Sequence, residues 1–357
     1  MPPYQCRASA AIDMQLSDRI KRVAPSATMA MTQAARELRA QGRDVISLSV
    51  GEPDFAVPTH IVAAAERAMA EGHTGYTAAD GIAELKDAIR AKFARENGLS
   101  FARAQINVSP GGKAVLWTVL AVTVSAGDEV IVPTPCWVSY PEMVTLAGAT
   151  PVLLPGAEDF KITPDALAGA ITPRTRWLML NSPGNPTGAV YSAAELEALA
   201  QVLRGHPNVM VLSDDIYEAL VFGEARFATM ASVAPDLAER CVTMNGVSKA
   251  YAMTGFRIGY AGGPEWLIEA MRKFIGQTTS CPAAPSQWAA VAALDGPQDF
   301  LDGWRETYRA RAKVMVRELN AAGLPCALPD GAFYVLTRCE AVMARLGFET
   351  DEAFALA

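Results

Sequence analysis

Two hydrophobic rhythms alternate along the chain. Short β-rich apolar runs are separated by stretches in which apolar residues recur every three or four positions. The runs that read as strands are 45–50 (VISLSV, ending at Gly51), 129–132, 150–154, 177–181, 209–213 and 241–245. Helical spacing covers 59–71 and 82–97, where Ile82, Leu85, Ile89 and Phe93 fall on one face. Further helices are expected after Gly112 and over 138–147 and 193–203. Strands spaced by helices in this way predict an α/β fold, with a mostly parallel sheet flanked by helices on both faces.

Composition narrows the function. With 357 residues, 51% hydrophobic and 19% charged, the chain is long enough for two lobes with apolar cores. Its formal net charge of -7 carries no basic blocks, which argues against nucleic acid as a partner. Six cysteines (6, 136, 241, 281, 326 and 339) form no CxxC pair, and His60, His73 and His206 lie far apart. Reduced thiols in a cytoplasmic protein are expected, rather than disulfides or a metal site. The most apolar run, 115–126, is too short to span a bilayer, and residues 1–13 lack a signal-peptide pattern. Residues 1–13 precede a more convincing start at Met14 (MQLSDRIKRV) and are expected to be a disordered extension or a start-site artefact.

Three strand ends carry concentrated chemistry. Asn181 and the loop SPGNPTG close one strand, Asp214-Asp215 close the next, and Ser248-Lys249 follow a third. Ligands of open α/β sheets gather beyond the carboxyl ends of the strands, so Asn, Asp and Lys are expected to meet in one crevice. A lysine amine can hold an aldehyde cofactor as a Schiff base, while a carboxylate keeps a pyridine nitrogen protonated. The segment SPGGKAVLW (109–117) adds a Gly-Gly turn opening a helix, a setting that cradles an anion. Arg257, eight residues beyond Lys249 in GFRIGY, supplies further positive charge.

Eight stretches in unbroken order, from about Met14 to Leu336, resemble the class I aminotransferases, pyridoxal-phosphate (PLP) enzymes of fold type I. They are PSAT (25–28), VGEPDF (50–55), GYTAADGIAELKDAI (75–89), SPGGKAVLW (109–117), CWVSYPEM (136–143), NSPGNPTGAVY (181–191), SDDIYEAL (213–220) and NGVSKAYAMTGFRIGYA (245–261). Within that family the chain is similar to the branch containing bacterial aspartate and prephenate aminotransferases. The resemblance implies a large PLP-binding domain at 48–292. A smaller α+β domain would combine 14–47 with 293–357.

The same resemblance implies a role for each matching residue. Lys249 would carry PLP and shuttle the proton between substrate and cofactor. Asp214 would pair with the ring nitrogen, and Tyr217 and Asn185 would bond the ring oxygen. Trp137 would stack on the ring, while Gly111, Gly112, Lys113 and Arg257 would hold the phosphate. Tyr76 would reach the phosphate of a neighbouring subunit, which implies a homodimer with shared active sites. Gly51, Trp137 and Asn185 would line the substrate pocket, and Ser26, Thr28 and Lys113 would meet an acidic side chain. The implied reaction is reversible, ping-pong amino transfer from an L-amino acid, aspartate or glutamate, to a 2-oxo acid. Carbon–sulfur β-elimination or PLP binding with little turnover would use the same cofactor residues.

Plainer readings stand beside these roles. Asp214 would serve as a helix cap, Trp137 as core and Tyr76 as a loop anchor. Gly111-Gly112 and Asn185 would be turn residues, and Ser26 and Thr28 loop or capping residues. The remaining lysines and arginines read as solvated surface. Two departures from the family pattern stand out. Gly246 lies where many members have a phosphate-binding serine, three residues before the lysine. The chain also stops at Ala357, in a helix opened by Thr350, Asp351 and Glu352, before the family's carboxylate-clamping arginine; the small domain is therefore expected to be truncated.

Overall fold

The structure is a computed structural model that describes residues 16–49 and 51–356. Residues 1–13, Met14, Cys6 and Val50, on which some of the expectations above fall, lie outside that set. Seven strands build one sheet: β1 Ile106–Ser109, β2 Glu129–Thr134, β3 Thr150–Pro155, β4 Thr175–Asn181, β5 Met210–Asp214, β6 Cys241–Gly246 and β7 Gly259–Gly262. Their order is β1-β7-β6-β5-β4-β2-β3. The pairs from β3 through β6 are parallel, and β7 runs antiparallel to both β1 and β6.

Alternation along the strands divides the apolar side chains between two cores. On β4, Leu178 and Leu180 enter one cluster while Trp177 and Met179 enter the other; Val211 and Leu212 divide likewise on β5. Helices Ala83–Lys92, Ala193–Arg204 and Ala284–Asp295 cover the first face, through Leu85, Leu199 and Ala290 among others. Helices Gly112–Thr123, Ser139–Ala147 and Glu265–Thr278 cover the second, through Leu116, Val144 and Met271. Each fully buried leucine or isoleucine contributes about 1.5–3 kcal/mol to holding the layers together. A third cluster joins Tyr217, Leu220 and Phe222, just past β5, to Tyr308 and Ala332.

The α/β layering agrees with the hydrophobic pattern, and several elements differ from it. The run 45–50 is no strand over its described residues 45–49: Ile46 and Leu48 are exposed and no sheet neighbour is present. Arg39 instead donates to the Val45 carbonyl. The helix at 82–97 begins at Ala83 and changes at Phe93–Asn97 to a wider π turn, which Gly98 ends at φ 65°. The strands β1 and β7 were not foreseen, because β1 is four residues long and β7 is half glycine. Lys86 and Lys92 are not solvated: both are buried, paired with Asp80 and with Glu218 respectively. Thr350 does cap the helix Asp351–Leu356, its Oγ1 accepting from the Ala353 amide at 3.1 Å.

Candidate active site

The parallel register sets the end of β5 beside the ends of β4 and β6, with Asn181 opposite Asp214 and Asp214 opposite Met244. Asp214 is buried, accepting from Tyr140 Oη at 2.7 Å and from the Ile216 amide at 3.2 Å. Burial pushes its carboxyl up to about 6, while the Tyr140 hydroxyl and the Ile216 amide pull the other way. A cation placed against this carboxylate would offset the desolvation. Asp215 turns to the opposite face of the sheet, where Ser213 Oγ donates to it at 2.8 Å and its Oδ2 has no partner among the described residues. The two adjacent aspartates are thus separated by the strand pleat, and Asp214 is the one on Lys249's side.

Lys249 sits in the single-turn helix Val247–Ala250 directly after β6. Its Nζ donates to the Gly51 carbonyl and lies 5.5 Å from the Phe333 ring centre and 5.8 Å from that of Tyr217. Burial lowers this amine to about 8; Arg257 acts in the same direction, and Glu52 and Asp214 oppose it. The amine thereby keeps a larger neutral fraction near neutral pH than an exposed lysine would, as a nucleophile requires.

A second group of residues forms an anion cradle. The Gly112–Thr123 helix opens at Gly111, whose φ is 95°. A Cβ at Gly111 would overlap the Arg257 guanidinium, and one at Gly259 would overlap the Gly111-Gly112 backbone. Glycine is needed at both positions for β7 and Arg257 to approach the helix start. Arg257 holds φ 55°, with Nη1 donating to the Thr254 carbonyl at 2.8 Å. Lys113 Nζ donates to Ser139 Oγ at 3.1 Å and lies 4.5 Å from the Trp137 ring centre. Burial lowers the Lys113 amine, and Arg257 adds to the effect. None of the ion pairs among the described residues involves Lys113, Lys249 or Arg257. Two cations without carboxylate partners, Lys113 in the first turn of a 12-residue helix and Arg257 against its start, suit a doubly charged phosphate. Gly246 fits the same packing. A Cβ there would come within 3.0 Å of the Ile258 carbonyl and 3.1 Å of Ile216 Cδ1, so a serine would fit only if those neighbours gave by a few tenths of an ångström.

The remaining anticipated residues divide. Asn185 is held by its amide donating to Asn181 Oδ1 (2.7 Å), while Asn181 Nδ2 donates to the Asp214 carbonyl (2.9 Å). Tyr217 Oη lies 2.6 Å from Tyr334 Oη, to which Asn185 Nδ2 also donates at 3.4 Å. Trp137 is half-buried and edge-on to Tyr140, with ring centres 5.4 Å apart. Gly51, Asn185, Tyr217, Asp214, Lys249, Lys113 and Trp137 are thereby linked through direct contacts. Tyr76 is 93% exposed and outside that network. Ser26 Oγ accepts from the Met29 amide at 3.4 Å as the cap of helix Ala27–Ala40, and Thr28 accepts from Thr32 through its carbonyl; neither bonds Lys113.

Three contributors were missed in the sequence: Tyr140, Ser139 and Tyr334. Tyr140 and Ser139 lie inside CWVSYPEM, where only Trp137 attracted attention, although a tyrosine beside an aspartate in space leaves no local spacing signal. Tyr334 arrives from 117 residues beyond Tyr217.

A buried carboxylate, a lysine of lowered pKa and an anion cradle of matching charge are the requirements of pyridoxal 5'-phosphate, and the residues fit it. Fold and site together define a PLP-dependent transaminase of fold type I. A family model described as "Aminotransferase class I and II" matches residues 43–356, and the chain belongs to that family. It is 53% identical to the aspartate/prephenate aminotransferase of Cereibacter sphaeroides, over 96% of this chain and 88% of that protein. Identity to the aspartate aminotransferase of Geobacillus stearothermophilus is 46%, over 96% and 88%. Among solved structures, the Thermus thermophilus aspartate aminotransferase with maleate superposes with a TM-score of 0.88 at 44% identity, covering 92% of this chain and 86% of that one.

The lowered Lys249 pKa makes a kinetic prediction. Only the neutral amine attacks the cofactor aldehyde, so the rate of PLP attachment to the cofactor-free protein should rise with pH and level off above about 8. Stopped-flow absorbance checks this; a rate still climbing tenfold per unit at pH 9.5 would show an ordinary surface-like lysine. The sign for stability follows from the same shift. Between about 8 and the unperturbed 10.5 the unfolded chain binds more protons, so Lys249 destabilises the fold fully below 8 and is relieved as pH rises through that window.

Proposed function

We propose that this transaminase takes its amino group from an acidic L-amino acid, aspartate first, and works as a cytoplasmic homodimer. The observation that carries the substrate assignment is Lys113. It is a solvent-reachable cation braced by Ser139 and Trp137 and without a carboxylate partner in the described chain. An ammonium so placed matches a side-chain carboxylate, or a cofactor phosphate oxygen. Relatives named for aspartate and prephenate support the acidic donor. Ser26 and Thr28 would add hydroxyls to the same carboxylate.

Bound in the crevice, PLP supplies an electron sink for the carbanion formed at the substrate α-carbon. The chain's own residues do the rest. Lys249 anchors the cofactor and moves the α-proton, and Asp214, steadied by Tyr140, keeps a cation at the ring nitrogen. Tyr217 and Asn185 hold the ring oxygen, and Trp137 covers the ring face. Gly111, Gly112, Lys113 and Arg257 hold the phosphate, and Gly51 borders the substrate. Tyr76 supports the dimer reading: its aromatic ring is 93% exposed and free to meet a second copy, whose phosphate it would reach. The large domain would span 48–292, with 14–47 and 293–357 forming the smaller one.

The test is Lys113→Gln at saturating PLP, with kcat/KM measured for L-aspartate and L-alanine. Losing a charge-assisted hydrogen bond should lower the preference for aspartate about 10- to 100-fold. An equal loss for both donors would assign Lys113 to the phosphate alone.

A further inference from the structure

The segment 330–334 is fastened to the walls of the site by main-chain hydrogen bonds. The Gly331 amide donates to the Gly188 carbonyl (2.9 Å), the Ala332 amide to Leu220 (2.8 Å), and the Phe222 amide to Asp330 (2.7 Å). Ala332 is fully buried and holds φ 58°, a left-handed conformation that side chains other than glycine adopt with difficulty. A conformation of that kind persists only where its surroundings determine it.

This fastened strap delivers the Tyr334 hydroxyl to 2.6 Å from Tyr217 Oη and 3.4 Å from Asn185 Nδ2. It also presses on residue 51, where any side chain would overlap Tyr334 Oη. Burial raises the Tyr334 phenol to about 12, so it stays a neutral hydroxyl. A neutral ring hydroxyl is the chemical counterpart of the oxygen on the cofactor ring.

We infer that Tyr334 is a placeholder in the cofactor site: its hydroxyl satisfies Tyr217 and Asn185 in the cofactor-free chain and competes with the PLP ring oxygen for both. The inference rests on the proposed assignment of Tyr217 and Asn185 to that oxygen. Without Tyr334 the two polar groups would lie in an apolar surround of Phe333 and the Tyr308 cluster with a hydrogen bond unmade. PLP entry would then exchange one hydroxyl for another at the same pair of partners.

The experiment is an absorbance titration of cofactor-free wild type and Tyr334→Phe with PLP. A competitor removed only from the free state should tighten binding about three- to tenfold. Tyr334→Leu, which also lacks the hydroxyl, should move affinity in the same direction should the phenylalanine variant not fold. Equal or weaker binding by the hydroxyl-free variants would overturn the inference, because Tyr334 would then brace Tyr217 in the loaded state. A purely structural role would not tighten binding. The underlying assignment is tested separately: unchanged PLP affinity and spectrum in both Tyr217→Phe and Asn185→Ala would remove it, whatever Tyr334→Phe does.

Discussion

Lys249→Ala should give a protein that folds, binds PLP only non-covalently and transfers no measurable amino group. The side chain serves twice. On the proposed assignment it anchors the cofactor covalently and carries the α-proton, a task that alone contributes about 10²- to 10⁴-fold in rate. Both are lost together, so their effects will not separate in turnover. Removing a half-buried cation that burial already disfavours should not cost folding stability. The measurements are circular dichroism for the fold, visible absorbance for the attached cofactor, and turnover with L-aspartate and 2-oxoglutarate. Retained turnover above one-hundredth of wild type would show that another group moves the proton.

Asp214→Asn should change stability and activity in opposite directions. In the cofactor-free chain the carboxyl is raised to about 6 by burial, above its usual 3.8. Between these values the folded state binds more protons, so stability falls as pH rises from 3.8 through 6, and the full destabilisation is present at neutral pH. Replacing the charge with an amide of equal size should therefore stabilise the cofactor-free protein at pH 7 by about 1–3 kcal/mol. The advantage should vanish below pH 4. Turnover should move the other way, because truncating one member of a buried charge pair costs about 2–5 kcal/mol, a loss of roughly 30- to 5000-fold. Denaturant melts at pH 4 and pH 7, paired with turnover, check both arms. An equal stability difference between variant and wild type at the two pH values would show that Asp214 is paired or protonated in the free protein.

Much of this site was legible before any coordinates, because its residues cluster in short stretches at strand ends. Asp214 ends β5 and Lys249 lies in the turn of helix after β6, so the strand pattern alone carries them to the same edge of the sheet. The Gly111-Gly112-Lys113 turn was readable for a similar reason: two glycines before an apolar helix suit few purposes. Long-range pairing was not legible. Tyr140 meets Asp214 across 74 positions, and Tyr334 meets Tyr217 across 117, with no sequence period to announce either. The strand expected at 45–50 shows the complementary error. Ile46 and Leu48 alternate as a half-buried strand would, yet both are exposed in this chain. An apolar pattern reports that a surface is to be covered, and not which element covers it. Lys86 and Lys92 escaped for a similar reason, since their partners Asp80 and Glu218 are visible only in three dimensions.

The most direct test of amino transfer at this site is an absorbance titration of the PLP-loaded wild-type protein with L-aspartate. The visible band of the Lys249-attached cofactor should convert to that of the amine form, releasing one equivalent of oxaloacetate per site, and 2-oxoglutarate should restore it. A band that no amino donor shifts, or one that survives in Lys249→Ala, would contradict the assignment.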